Sequence, residues 1–124
     1  KAFGFNTVLV CDEKTNIFNP NVIRSSIGHI FSINVVAVPS HEAIEFLYNN
    51  NVEIILLDPN SKDSIKSFTP SERTGLVVGS EDKGLSKKWL DSRHTPLHID
   101  SSEEIDSINA STAAAIAMWE LSEH

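Results

Sequence analysis

The stretch Gly75–Ser86, GLVVGSEDKGLS, decides the fold of this chain. It begins as an apolar run that predicts a buried strand, continues as Gly79-Ser80-Glu81, and carries a second glycine at Gly84. A glycine directly after a strand lets the backbone approach a ligand closely, and Glu81 places a carboxylate at the same strand end. We therefore expect a ligand at this turn, and we expect Gly79→Val to remove its binding while sparing the fold.

Apolar runs of strand length lie on both sides of this stretch and alternate with helical patterns. Such alternation predicts an α/β fold with a parallel sheet flanked by helices, in which ligands sit beyond the carboxyl ends of the strands. The predicted strands are Thr7–Cys11, Val35–Val38, Glu53–Leu57, Leu76–Val78 and Leu97–Ile99. The predicted helices are one that opens at Asn19-Pro20 and ends near Gly28, His41–Asn49 capped by Ser40, a short helix carrying Lys87 to Arg93, and Ile108–Leu121.

The same patterns predict which side of each element is buried. The run Thr7–Cys11 is apolar throughout, so we expect it to be covered on both faces. Apolar positions at helical spacing define the inward face of two helices. They are Ala43, Ile44, Phe46 and Leu47 in the first, and Ile108, Ala115, Ile116, Trp119 and Leu121 in the second.

Composition limits the class of protein. With 124 residues, of which 40% are hydrophobic and 22% charged, the chain is expected to form one globular domain, 1–124. Its longest apolar runs are too short for a transmembrane helix. Cys11 is the only cysteine, so no internal disulfide can form and a reducing compartment, cytoplasmic or organellar, is expected. We expect its thiol to be buried and structural rather than reactive. The chain starts at Lys1 and its only methionine is Met118, so we expect it to be part of a longer protein.

The charge balance bears on nucleic-acid binding. The chain has ten Lys and Arg residues and 17 Asp and Glu residues, which gives a net charge of −7. Contacts to the phosphate groups of a nucleic acid need cations, so this balance is unfavourable for binding one. Lys87, Lys88 and Arg93, near Trp89, are either a solvated helix face or a local phosphate contact. No metal site is expected, because the histidines lack metal spacing with the lone cysteine, and the acidic loop 99–107 has no calcium-loop order.

Two further stretches complete the pattern, HTPLHI (His94–Ile99) and SINASTAAAIAMWEL (Ser107–Leu121). Asn109 stands where a plain helix cap is expected, at the start of a helix rich in alanine. Together with Gly79-Ser80-Glu81 and Gly84, these stretches resemble the second and third motifs of the SpoU/TrmH-type RNA 2′-O-ribose methyltransferases of the SPOUT superfamily. The segment from Arg24 to Phe31 is similar to a helix found in many members.

The resemblance implies a fold, a cofactor and a substrate. It implies a C-terminal trefoil knot, S-adenosylmethionine (AdoMet) as methyl donor, rRNA or tRNA as substrate, and a homodimer whose interface includes the last helix. The cofactor-binding residues that it implies are Gly79, Gly84, Thr95, Leu97 and Ile108. The catalytic residues that it implies are Glu81, Asn109 and Arg24.

Two departures keep other functions open. The family's first motif, Asn-x-Gly-x-x-x-Arg, would precede Ala2–Phe5 and is absent, so the chain by itself is expected to be inactive. The family's usual Ile-Pro-Met reads Thr95-Pro96-Leu97. An alternative is a non-catalytic AdoMet- or RNA-associated subunit of the same fold, which the sequence upstream of Lys1 would distinguish. An unrelated nucleotide binder is disfavoured because no Gly-x-Gly-x-x-Gly pattern occurs.

Overall fold

The computed structural model describes residues 1–12, 24, 32–80, 83–102 and 108–122. The chain divides into two compact units, Lys1–Ala43 and Ile44–His124, and each is described by itself. The strands are β1 (Thr7–Cys11), β2 (Asn34–Val38), β3 (Glu53–Leu57), β4 (Thr74–Val77) and β5 (Thr95–Leu97). The helices are α1 (Ser40–Asn49), α2 (Lys87–Leu90) and α3 (Ala110–Leu121), with a 3₁₀ turn at Ile65–Ser67.

All strand pairs among the described residues are parallel, which confirms the predicted α/β class. In the first unit, β1 pairs with β2, from Thr7 opposite Asn34 to Cys11 opposite Val38. In the second unit, the strand order is β4-β3-β5, with β3 in the centre. The strands therefore form a two-stranded and a three-stranded sheet, both parallel.

The central strand β3 carries the core of the second unit. Its residues Ile54, Ile55 and Leu56 are all buried. Such a run is expected for a strand that is covered on both faces. In the first unit the outcome differs, because Val8 of β1 and Val36 of β2 remain 43% and 47% exposed. The prediction that β1 is covered on both faces is therefore wrong for the described part of the chain.

The bounds of β4 and β5 differ from the predicted ones because pairing with β3 sets them. Thr74 lies opposite Glu53, so β4 starts two residues before the apolar run. Thr95 lies opposite Ile55, so β5 starts at Thr95 and includes Pro96. Proline lacks a backbone N–H and is tolerated in an edge strand, and β5 is an edge strand of this sheet.

The buried faces of the helices were predicted only in part. In α1, Ala43 and Leu47 are buried as predicted, whereas Phe46 is exposed. In α3, the buried residues are Ala117 and Leu121, while Ile116 and Trp119 are 37% and 48% exposed. Ala115 is exposed as well, so of the expected inward face of α3 only Leu121 is buried and Ile108 half-buried. This helix is apolar on nearly every side, so its spacing does not single out one face.

Three other predictions concern the helices. The helix α2 ends at Leu90, so Arg93 lies beyond it and not on it. Of the helix predicted to open at Asn19-Pro20, only Arg24 is described, and it is helical. None of the helices in the described ranges has the length and apolar character needed to cross a membrane.

Candidate functional site

Three of the five predicted cofactor residues, all of which belong to the second unit, lie at one edge of its sheet. Gly79 follows the end of β4 by two residues, and Leu97 is the last residue of β5. These two strands flank β3, and all three run in the same direction. The carboxyl ends of parallel strands are where such sheets bind ligands. Gly79, Gly84 and Leu97 thus lie at the edge that the sequence predicted, while Thr95 lies opposite the middle of β3.

The turn between Gly79 and Gly84 closes on itself. The N–H of Ser80 donates to the carbonyl of Gly84 (3.2 Å), and the N–H of Gly84 donates to the carbonyl of Ser80 (2.8 Å). A Cβ atom on Gly79 would lie 2.3 Å from the carbonyl carbon of Gly84 and 2.5 Å from the nitrogen of Leu85. The backbone of Gly84 and Leu85 therefore leaves no room for a side chain at Gly79. The space beside Gly79 that was expected to hold a ligand is filled by this backbone.

Gly84 has a different reason to be glycine. Its φ of +66° lies in the left-handed region, which side chains with a Cβ rarely adopt. A Cβ on Gly84 would meet no atom within 4 Å, so the outer face of the turn is open. Glu81 lies within this turn but outside the described residues, and its catalytic role stays a prediction.

The end of β5 is held by the polar connection that follows β3, residues 58–65. The side chain of Leu97 is buried, so Leu97 can offer only backbone groups to a ligand. The carbonyl groups of three successive residues, Pro96 to His98, each accept a hydrogen bond from residues 58–65. Their donors are Ser61 Oγ–H (2.8 Å), Asp58 N–H (2.9 Å) and Ile65 N–H (2.9 Å).

A cluster of polar side chains that the sequence analysis did not anticipate lies beside this strand end. Asp100 Oδ1 is 2.9 Å from His98 Nε2, and Asp100 Oδ2 accepts a hydrogen bond from Ser64 Oγ at 3.0 Å. Asp100 belongs to the acidic loop 99–107 and its side chain is exposed, yet both of its carboxylate oxygens have protein partners. The available signal is the His98-x-Asp100 spacing, because alternate residues of an extended segment point to the same side.

Asn109 is the N-cap of α3. Its Oδ1 accepts hydrogen bonds from the N–H groups of Ser111 (3.0 Å) and Thr112 (3.3 Å) and from the hydroxyl of Ser111 (2.6 Å). The predicted cap is therefore confirmed. The preceding Ile108 is half-buried. Since α3 contacts the 3₁₀ turn Ile65–Ser67, it belongs to the same unit as the β5 end.

The predicted basic residues are exposed. Lys87 and Lys88 lie on α2, and the guanidinium of Arg93 lies 5.1 Å from the centre of the Tyr48 ring. The backbone N–H of Arg93 also donates to the Tyr48 hydroxyl. Arg24, the predicted catalytic arginine, is exposed and belongs to the first unit.

The single cysteine lies at the end of β1 and is half-buried. Burial, and then the neighbouring Asp12, raise the pKa of the Cys11 thiol above its ordinary value, although a hydrogen bond with Ser40 acts in the opposite direction. Asp12 itself accepts from the N–H (3.0 Å) and hydroxyl (2.6 Å) of Ser40, at the start of α1. This environment favours a neutral, structural thiol.

Two other features do not extend the candidate site. An open depression of about 550 Å³ lies at the amino ends of β1 and β2, against residues 4–6 and 32–34. Parallel sheets bind ligands at the opposite ends of their strands. Within the described ranges, no group of three or more His, Cys, Asp or Glu side chains is arranged to hold a metal ion.

The chain is similar in sequence to known proteins. The profile of the SpoU rRNA Methylase family matches residues 1–119. The chain is 27% identical over 125 residues to the 23S rRNA (uridine(2479)-2'-O)-methyltransferase of Streptomyces viridochromogenes, covering 96% of this chain and 44% of that protein. It is 28% identical over 121 residues to the 23S rRNA (adenosine(1067)-2'-O)-methyltransferase of Streptomyces azureus, covering 96% and 45%.

A solved structure shows the same likeness. The chain matches the crystal structure of the SpoU methyltransferase AviRb from Streptomyces viridochromogenes in complex with AdoMet, with a TM-score of 0.89 and 26% identity. The match covers 96% of this chain and 49% of that one, so the chain spans about half the length of the relatives it matches. Because the family profile extends over nearly all of its residues, the chain belongs to the SpoU rRNA Methylase family.

Proposed function

We propose that the protein containing this chain transfers a methyl group from AdoMet to a ribose 2′-hydroxyl of rRNA or tRNA. The observation that carries the proposal is the family match over residues 1–119, together with a glycine turn and a strand end at one edge of the sheet. Similar proteins of two Streptomyces species are named as 23S rRNA 2'-O-methyltransferases.

The proposed AdoMet site consists mainly of backbone groups of Gly79, Gly84, Thr95, Leu97 and Ile108. Two observations support the fit. The outer face of the Gly84 turn is open, and the buried Leu97 side chain leaves the backbone of β5 as the group that can face a ligand. The Leu97 carbonyl already accepts from Asp58, but a carbonyl oxygen can accept a second hydrogen bond. AdoMet supplies an electrophilic methyl group on its sulfonium.

The proposed catalytic residues are Glu81, Asn109 and Arg24. A ribose hydroxyl is a poor nucleophile, so it must be polarised and held in line with the methyl group. A carboxylate and an amide side chain can accept and donate the hydrogen bonds that orient such a hydroxyl. Oδ1 of Asn109 already receives three hydrogen bonds, so the proposed contact to the ribose uses the Nδ2 amide group.

The proposed RNA contact is the basic surface formed by Lys87, Lys88 and Arg93. These side chains are exposed, and with a net charge of −7 on the chain the phosphate groups need either such a local group of cations or another part of the protein. Arg93 lies over Tyr48, an arrangement that orders the guanidinium without neutralising it.

The assembly and topology are part of the same proposal. The exposed Ile116 and Trp119 on α3 support a homodimer, since apolar side chains on one helix face gain by being covered. The run Ala113–Ala115 supports a C-terminal knot, because small side chains let a helix pass close to neighbouring backbone. rRNA and tRNA as substrates imply a cytoplasmic or organellar location.

The test uses the full-length protein. Titration calorimetry measures AdoMet binding, and transfer of a labelled methyl group to rRNA and tRNA, followed by nucleoside analysis, measures the reaction. We expect AdoMet binding and 2′-O-methylated nucleosides. Binding of AdoMet without transfer to any RNA would favour the non-catalytic AdoMet-associated subunit, and absence of AdoMet binding would contradict methyl transfer and leave the RNA-associated subunit.

A further inference from the structure

The Asp100 cluster, formed by His98, Asp100, Ser64 and Lys66, joins two segments that are distant in sequence. One carboxylate oxygen of Asp100 is bonded to His98 Nε2 at 2.9 Å, and the other to the Ser64 hydroxyl at 3.0 Å. Lys66 Nζ approaches the second oxygen to 3.9 Å. The carboxylate thus bridges the end of β5 and the connection after β3.

The backbone joins the same two segments. The N–H of His98 donates to the carbonyl of Asp63 at 2.9 Å, and the N–H of Ile65 donates to the carbonyl of His98 at 2.9 Å. Ser64 and His98 therefore form an isolated parallel bridge beyond the end of the sheet. Asp100 closes a ring of hydrogen bonds over this bridge.

The His98 ring depends on Asp100. An ionised carboxylate only accepts hydrogen bonds, so Nε2 carries the proton that it donates to Asp100. The other ring nitrogen, Nδ1, is buried and has no hydrogen-bond partner among the described residues. Removal of Asp100 would leave both ring nitrogens without a hydrogen-bond partner among the residues that the structure describes, which is unfavourable for a ring that is 25% exposed.

The hydrogen bonds, rather than the ion pair with Lys66, give the cluster its strength. The side chains of Lys66 and Asp100 are 66% and 45% exposed, and exposed pairs of this kind contribute little. Hydrogen bonds to a charged acceptor are stronger than neutral ones. In an Asp100→Asn variant, the neutral side chain would still accept a hydrogen bond from His98 and would face Ser64 with its NH₂ group.

We propose that Asp100 is a positioning residue for AdoMet binding: by bridging His98 and Ser64 it holds the backbone at the end of β5 in its ligand-binding position. This inference rests on the proposed function, because Leu97, the residue before His98, is part of the proposed AdoMet site. Asp100 acts through the backbone of residues 97 and 98 and touches neither the methyl group nor the ribose.

The test compares full-length wild type with Asp100→Ala, Asp100→Asn and the control Lys66→Ala. We expect Asp100→Ala to weaken AdoMet binding, measured by calorimetry, about tenfold, in line with loss of a charged hydrogen bond. The KM for AdoMet should rise while kcat at saturating AdoMet stays close to wild type. Asp100→Asn should recover most of the affinity, and Lys66→Ala should bind as wild type does.

Hydrogen exchange supplies a readout that does not depend on AdoMet. In Asp100→Ala, the amides of Ile65 and His98 should exchange faster, while those of β3 keep their protection. If Asp100→Ala does not fold, Ser64→Ala removes one of the two bonds to Asp100, together with the cap bond from the Lys66 N–H to Ser64 Oγ (3.2 Å), and should show a smaller loss of AdoMet affinity in the same direction. Wild-type affinity in Asp100→Ala would overturn this inference alone. Absence of AdoMet binding in wild type would overturn it together with the proposed function.

Discussion

Gly79 lies so close to Gly84 that a Cβ atom on Gly79 would stand 2.3 Å from the carbonyl carbon of Gly84. The obstacle is backbone, which cannot swing aside as the end of a flexible side chain can. The two hydrogen bonds between Ser80 and Gly84 hold this backbone in place. The turn after β4 is therefore a structural unit before it is a ligand site.

Gly79→Ala is expected to destabilise the protein by about 1–3 kcal/mol, because the added methyl group forces the turn to open. The expectation that Gly79→Val spares the fold is corrected accordingly. Chemical denaturation of Gly79→Ala and Gly79→Val measures the loss in the free energy of unfolding. Gly75→Ala is the control, since its Cβ would meet Val52 Cγ1 at 3.4 Å, an ordinary contact. Wild-type stability in Gly79→Ala would contradict the geometry of this turn.

Asn109→Asp separates the helix cap from the proposed active-site role. Aspartate keeps the capping oxygen and is favourable at a helix N-terminus, so the melting temperature should not fall. It lacks the Nδ2 amide donor, so methyl transfer in the full-length protein should fall by ~10² or more.

Two further variants at this position serve as controls. Asn109→Ser should also keep the melting temperature and lose transfer, whereas Asn109→Ala should lose about 1 kcal/mol of stability as well. Equal transfer by wild type and Asn109→Asp on the same RNA would leave Asn109 as a plain cap.

Arg93→Ala in the full-length protein is expected to weaken RNA binding to a similar extent for all RNA sequences. Loss of one phosphate contact should reduce the slope of log K against log salt concentration by about 1. Arg73→Ala is the matched control because it removes the same charge from an arginine outside the proposed RNA contact. The Arg73 guanidinium instead donates to the carbonyl of Asn50 at 3.1 Å. Identical slopes in wild type and Arg93→Ala, measured by fluorescence anisotropy, would remove Arg93 from the RNA contact.

Cys11 is expected to react slowly with iodoacetamide near pH 8, because its raised pKa keeps the thiol protonated. The pKa of the thiol is higher in the folded state than in the unfolded state, where it is about 8.5, so the folded state favours the protonated thiol. The resulting contribution to stability is fully present below the unfolded pKa and is lost as the pH rises through the folded pKa. Denaturation of wild type and Cys11→Ala at about pH 7 and about pH 9.5 tests the sign. The stability of wild type should fall more than that of the variant, and a larger fall in Cys11→Ala would contradict the direction of the shift.

The parts of the fold that depend on local pattern were predictable. The bounds of β1 and β3 and the cap Asn109 match the sequence prediction because apolar runs and cap residues act over a few neighbouring positions. The start of β5 was missed because pairing of Thr95 with Ile55 decides it. The exposed face of α3 was missed because Ile116 and Ala117 are both apolar, and only tertiary contacts choose between them.

In the candidate site, too, the features that follow from local pattern were predictable, and those that depend on tertiary contacts were not. Gly79 and Leu97 were placed at the edge of the sheet because strand direction follows from the α/β pattern. The link between Ser64 and Asp100 joins residues 36 positions apart, and no periodicity connects them. The contact of Gly79 with Gly84 depends on how the turn closes, which spacing alone does not give.

Pro96 has a consequence for association between molecules. It lies in the middle of β5, at one edge of the three-stranded sheet, and proline has no N–H to donate. An added strand would find no backbone donor at this position, and the carbonyl of Pro96 already accepts a hydrogen bond from Ser61. The short strand thus resists being extended into a larger intermolecular sheet, which protects a highly apolar core strand from aggregation through this edge.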